Sequence, residues 1–179
     1  FPVKTHTLPG VLLVEFPTSL SPEALERFER REQVAAAAAM RAFLAPGSVA
    51  VVGASRRRGT VAGELFHNLL MSGFNGPVYP VNPKAPVVQS VPAYKSVLDV
   101  PGPVDLAVLV VPAPYVVKIA RDCAAKGVRA LVVISAGFGE TGPEGAERQR
   151  ELLSVCRAAG MRLIWHNCLG FVNTAHELR

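Results

Sequence analysis

Short apolar runs alternate with longer amphipathic segments over most of the chain. The runs cover residues 49–53, 77–81, 105–111, 130–135 and 161–165. Each is apolar on successive positions, which would present apolar side chains to both faces of a sheet. That is the pattern of a buried parallel strand. The segments between them, residues 61–71, 114–126 and 144–159, have helical spacing. The last two run into Gly127 and Gly160, where a glycine ends a helix without steric penalty. Residues 93–97 leave room for at most a short helix. Strands alternating with helices call for right-handed crossovers. The predicted fold is therefore α/β: a Rossmann-like, doubly wound, mostly parallel five-stranded sheet with helices on both faces, over residues 45–179.

The first 44 residues follow another rhythm. Residues 11–16 read as a short strand. Ser21 followed by Pro22 is a helix start, a capping hydroxyl with proline at the first helical position. Residues 23–43 are rich in Glu, Arg and Ala, good helix formers, and Pro46-Gly47 stops them. Residues 1–44 are thus an N-terminal extension or interdomain linker of strand plus helix.

Composition narrows the function. Half of the 179 residues are apolar, enough for a real core. The longest apolar stretch, residues 106–117, contains Pro112 and Pro114 and falls short of the roughly 18 residues of a membrane span. Net charge is 19 − 14 = +5, which favours anionic ligands. The densest basic cluster, Arg56-Arg57-Arg58, has no interleaved aromatic residue of the kind a single-strand nucleic-acid groove uses. No nucleic-acid or membrane partner is expected. Cys123, Cys156 and Cys168 suit a reducing cytoplasm rather than a disulfide scaffold. Cys and His show no metal-binding spacing. The chain opens on Phe1 with neither Met nor a secretory leader, and a piece of a longer protein is expected.

In doubly wound sheets ligands bind beyond the carboxyl ends of the strands. Glycines, prolines and polar residues collect there. The first such loop offers Gly53, Ser55, Arg56, Arg57, Gly59 and Thr60 before a helix whose amide dipole faces it. It is a candidate phosphate site, the alternative being an ordinary turn needing glycine. The dinucleotide fingerprint G-x-G-x-x-G is absent, since Ser55 and Arg58 stand at two of its glycines. No acidic residue follows the second run; Asn82, Pro83 and Lys84 do. A lysine there suits a ribose phosphate, as in NADP or the 3′-phosphate of coenzyme A, the alternative being a solvated surface lysine. No Gly-Lys-Ser/Thr phosphate loop occurs, and Tyr115 and Lys118 are one residue too close for a short-chain reductase pair. Later loops bring Val111, Pro112 and Ala113, then Ser135, Ala136 and Gly137 at the start of residues 135–140, a candidate second anion nest, the alternative being a glycine turn. The last brings Asn167 and Cys168. Cys168 is read as a loop thiol or buried cysteine, since His166 alone makes a poor base for it. His67 reads as a core histidine.

Taken in order, residues 49–55 (VAVVGAS), 59–60 (GT), 78–84 (VYPVNPK), 104–113 (VDLAVLVVPA), 133–140 (VISAGFGE) and 167–174 (NCLGFVNT) resemble the CoA-binding domain of NDP-forming (ADP-forming) acyl-CoA synthetases, relatives of the succinyl-CoA synthetase α subunit. The resemblance runs from about residue 46 to residue 174. It implies coenzyme A or acyl-CoA as ligand. Ser55 through Thr60 would hold its phosphates, and Asn82, Pro83 and Lys84 would flank the adenosine end. Val111, Pro112 and Ala113 would line the adenine or pantetheine path. Ser135, Ala136 and Gly137 would face the reactive end, with Asn167 and Cys168 on the pantetheine arm. Trp165-His166 stands where the family has Gly-Pro, a departure that bears on the thioester end more than on binding. The family's phosphohistidine and nucleotide-grasp domains do not fit in 179 residues. No complete active site is expected here, and the partners implied are missing domains of the same protein or a partner subunit. Homo-oligomerisation stays open. Similar domains are also fused to protein N-acetyltransferases, so a regulatory acyl-CoA- or nucleotide-sensing domain is an alternative. An NADP-binding oxidoreductase domain is a third.

Overall fold

The computed structural model describes residues 3–15 and 22–165. They fall into two compact units that divide between residues 40 and 41. In the first unit, β1 (Lys4–Leu8) and β2 (Val11–Glu15) form an antiparallel hairpin. The sequence pattern had shown only the second strand. Its partner, Lys-Thr-His-Thr-Leu, lacks the apolar alternation that announces a strand. Helix α1 (Pro22–Leu44) begins at the expected proline. Its expected cap, Ser21, lies outside the described residues.

In the second unit, β3 (Val49–Val52), β4 (Val78–Val81), β7 (Leu106–Leu109), β8 (Ala130–Val133) and β9 (Arg162–Trp165) form one parallel sheet in the order β4-β3-β7-β8-β9. Helices α2 (Val61–Met71), α3 (Ala113–Lys126) and α4 (Pro143–Ala158) connect them. The five runs read from sequence are these five strands. Alternate side chains feed two cores, because a strand turns successive residues to opposite faces. On one face Ala50, Val52, Ala107, Leu109, Leu131 and Val133 meet Val116, Ala120 and Cys123 of α3 and Leu152 and Cys156 of α4. On the other, Val49, Val51, Leu106, Val108, Ala130 and Val132 pack with Phe43 and with Phe66 of α2. Helices therefore cover both faces, as expected of runs apolar on every position.

Two small elements depart from the sequence reading. A hairpin, β5 (Val87–Val88) and β6 (Val91–Pro92), follows β4. Where residues 93–97 allowed a short helix, the chain instead forms a 3-10 turn at Val97–Asp99, closed by a Ser96 and Asp99 capping box. Gly127 ends α3 at φ 82°, and Gly160, just past α4, has φ 62°. Both bear out the glycine stops. At the amino end of the sheet, buried Ser48 accepts from Asp105 N (3.0 Å), and Gly47 N donates to the Asp105 carboxylate (2.9 Å). Polar groups at that end brace loops.

Candidate functional site

The strand order reverses between β3 and β7, the outermost strands' sequence running outward on either side. The loops beyond their carboxyl ends therefore flank the crevice where such sheets take ligands. Gly53, at φ 91°, is glycine because a Cβ there would overlap the Val110 carbonyl oxygen. The close approach it permits is first of all between β3 and β7.

The loop after β3 is held by its own groups. Ser55 Oγ accepts from Arg57 N (3.1 Å). Thr60 caps α2, its Oγ1 accepting from Gly63 N (3.1 Å) while donating to the Arg57 carbonyl (2.9 Å). The Thr60 hydroxyl, expected to face phosphate, is thus engaged in the cap. Glu64, which the sequence reading passed over, sits inside this basic loop. Its carboxylate takes both Arg58 guanidinium bonds (2.9 Å each) and the Gly59 N–H (2.6 Å). The Arg58 guanidinium and then the Gly59 N–H hold this carboxyl down at about 2. Arg58 is neutralised; Arg56 and Arg57 remain exposed cations.

The loop after β4 reaches the same place. Asn82 Nδ2 donates to the Ala54 carbonyl (2.8 Å), and Asn82 Oδ1 accepts from Lys84 N (2.8 Å). Asn82 therefore acts as a bracket, presenting exposed Pro83 and Lys84 beside the β3 loop. After β7, Val111 is half-buried, Pro112 is exposed and Ala113 starts α3 inside the core. Ser135 Oγ donates to the Val111 carbonyl (2.6 Å), tying the β7 and β8 loops. Side-chain bonds thus join the loops along this edge in two pairs, after β3 with after β4 and after β7 with after β8.

The nest read after β8 exists, and the protein fills it. Glu140 accepts from Gly137 N (2.6 Å) and Phe138 N (3.1 Å), and Gln149 Oε1 accepts from Gly139 N (3.2 Å). Gly137 has φ 107° and its carbonyl accepts from Arg148. Ala136 is exposed at the turn. Beside it, Gly139, Glu140, Gln149 and Trp165 line an open hollow of about 490 Å³. The Trp165 indole N–H is buried with no hydrogen-bond partner among the described residues. Asn167, Cys168 and His166 lie outside those residues.

Other candidates resolve simply. His67 is half-buried on α2, one turn from Glu64. Burial pushes the Cys123 thiol up to about 12 and the Cys156 thiol up to about 11, so both stay protonated core groups. No cluster of His, Cys, Asp and Glu suited to a metal ion occurs among the described residues. None of their helices is long and apolar enough to cross a membrane.

The model of the CoA binding domain family matches residues 47–174. The α subunit of ADP-forming acetate–CoA ligase II from Pyrococcus furiosus is 46% identical over 136 residues, covering 76% of this chain and 30% of that protein. A crystal structure of a Pyrococcus horikoshii OT3 protein superimposes with TM-score 0.73 and 44% identity, over 78% of this chain and 32% of that one. The apo form of a dinucleotide-forming acetyl-coenzyme A synthetase 1 from Ca. Korarchaeum cryptofilum gives TM-score 0.66 and 38% identity, over 70% and 27%. The chain spans less than a third of the length of these relatives.

Proposed function

The chain belongs to the CoA binding domain family, and from that premise we propose that it holds coenzyme A or an acyl-CoA along the carboxyl edge of its sheet, as the CoA-binding part of a larger ADP-forming acyl-CoA ligase. One observation carries the placement. Arg56, Arg57 and Lys84, all exposed, come from two different loops that Asn82 ties together beside the strand reversal. Cations and backbone N–H groups at a helix N-terminus suit a pyrophosphate. Lys84, at the end of β4, suits the 3′-phosphate that distinguishes CoA from its dephospho form. Val111 and Pro112, on the loop after β7 between those after β3 and β8, offer an apolar path that begins beside the buried Ala113, and Ser135 through Gly137 lie at its far end. Asn167 and Cys168 are proposed for the pantetheine arm on the family resemblance. Ligation and phosphoryl transfer are assigned to further domains or a partner subunit. Residues 1–44 are proposed as the extension that joins this domain to them.

Isothermal calorimetry of the chain against CoA and dephospho-CoA tests the placement. Wild type is expected to prefer CoA, and Lys84→Ala is expected to lose about tenfold for CoA and little for dephospho-CoA, the effect of one charge-assisted contact. Equal losses for the two ligands would remove Lys84 from the 3′-phosphate.

A further inference from the structure

We propose that Gln89, at the tip of the β5–β6 hairpin, is the positioning residue that sets the anion-binding loop after β3; this rests on the reading of that loop as the CoA pyrophosphate site. The hairpin register pairs Val88 with Val91, leaving Gln89 and Ser90 as a two-residue turn. Both have positive φ, 48° and 69°. Such turns ordinarily take Asn-Gly, because a larger side chain is strained in the left-handed region. A glutamine held there is a conformation maintained by its surroundings.

The surroundings show what holds it. Gln89 Nε2 donates to two carbonyls, Gly63 in the first turn of α2 (2.8 Å) and Ser55 at the start of the loop (3.3 Å). These two points bracket the stretch that carries Arg56, Arg57, Gly59 and Thr60. A primary amide is the neutral side-chain group with two N–H donors on one nitrogen, so one residue serves both. The hairpin itself is fixed from below: Val88, the residue before Gln89, is fully buried in the core with Phe66 of α2. Ala93 N donates to the Pro86 carbonyl (2.9 Å) and closes the hairpin's base.

The consequence for the loop follows from the peptide plane. In a trans peptide the carbonyl and the next N–H point in opposite directions. With the Ser55 carbonyl turned to Gln89, the Arg56 N–H is turned away from the hairpin. The Arg57 N–H is already taken by Ser55 Oγ. Gln89 thereby decides which backbone donor the loop presents. It touches no ligand itself; it fixes the groups that would. Asn82 performs the matching task one residue earlier, at the Ala54 carbonyl. The loop is clamped from both sides by side-chain amides of the segment after β4.

The test is Gln89→Gly, which removes the amide and relieves the positive φ, so the fold is retained. Calorimetry against CoA and dephospho-CoA is expected to show both weakened by about the same factor of ten, with their ratio kept, because the pyrophosphate common to both has lost its preset donor. Hydrogen exchange of the Arg56 to Thr60 amides is expected to quicken, with an unfolding midpoint close to wild type. Unchanged CoA affinity in a wild-type background that binds CoA overturns the proposal. So does a fall in midpoint with the CoA to dephospho-CoA ratio lost, which marks a merely structural residue. A wild-type chain that binds neither ligand overturns the functional reading instead. The exchange data then decide the clamp: quickened exchange at residues 56–60 upholds it, and unchanged exchange sinks it.

Discussion

Glu64 shows how one unremarked side chain alters the meaning of a basic cluster. Three consecutive arginines suggest three free charges, yet Arg58 pairs with Glu64, and among the described residues Arg56 and Arg57 are the two of the three without an ion pair. Nothing in the local sequence singles out Glu64, because its partners lie five and six residues back across a loop. The pair also predicts a pH dependence. The Glu64 carboxyl is lowered from 4.5 to about 2, so its contribution to folding is complete above 4.5 and is lost as pH falls from there to about 2. Thermal unfolding should show Glu64→Gln less stable than wild type near neutrality, with the gap closing across that acid range. A gap independent of pH would contradict the pairing. The thiols give the opposite case. Burial keeps Cys123 and Cys156 protonated, so iodoacetamide at mildly alkaline pH should modify neither until the chain is unfolded. Rapid labelling of either in the native state would place it outside the core.

Two loops of the edge are built on one plan. After β3, the Thr60 hydroxyl donates to the Arg57 carbonyl three residues back; after β8, the Thr141 hydroxyl donates to the Phe138 carbonyl likewise (2.8 Å). A Cβ on Gly63 would overlap that Arg57 oxygen, and one on Gly145 would overlap the Phe138 oxygen. Each helix thus presents a bare backbone in its third position so that its loop can fold onto it. Gly63→Ala should cost about 1–3 kcal/mol of stability, an overpacking effect, and should also weaken CoA binding. Gly145→Ala should cost a similar amount while leaving the affinity for CoA nearly unchanged, and chemical denaturation with calorimetry on both variants checks the contrast. The strands and helices themselves were plain in the sequence, because runs such as Leu106–Leu109 are apolar at every position and Gly127 closes its helix. The β1 strand and the β5–β6 hairpin were not. The first lacks alternation, and the second turns on Gln89 and Ser90, residues that do not advertise positive φ.

For the molecule as a whole, the pattern of the strands decides where the expected residues lie, and contacts distant in sequence decide what they do. Among the described residues, those expected to bind ligand gather at one edge, since parallel strands place all their carboxyl ends together. Their ligand-free partners were a different matter. Gly53 serves strand contact, Asn82 serves bracing, Thr60 serves capping, Glu64 occupies the Gly59 donor, and Glu140 occupies the Gly137 and Phe138 donors. Such roles depend on contacts between residues distant in sequence, such as Gln89 and Ser55, and no local pattern encodes them. The charge left over predicts a salt effect. Replacing Arg56 and Arg57 together by Ala should weaken CoA binding and flatten its dependence on ionic strength, because screening acts on exposed charges. A salt dependence unchanged from wild type would assign both arginines to solvent.

The most direct test of the account is to map backbone amide chemical shifts by NMR as CoA is added to the chain. Shifts are expected to concentrate at the carboxyl edge, at residues 55–60, 82–84, 111–113 and 135–137, with the amino-end brace around Ser48 and Asp105 unmoved. Shifts centred on that brace, or none at all at saturating CoA, would contradict it.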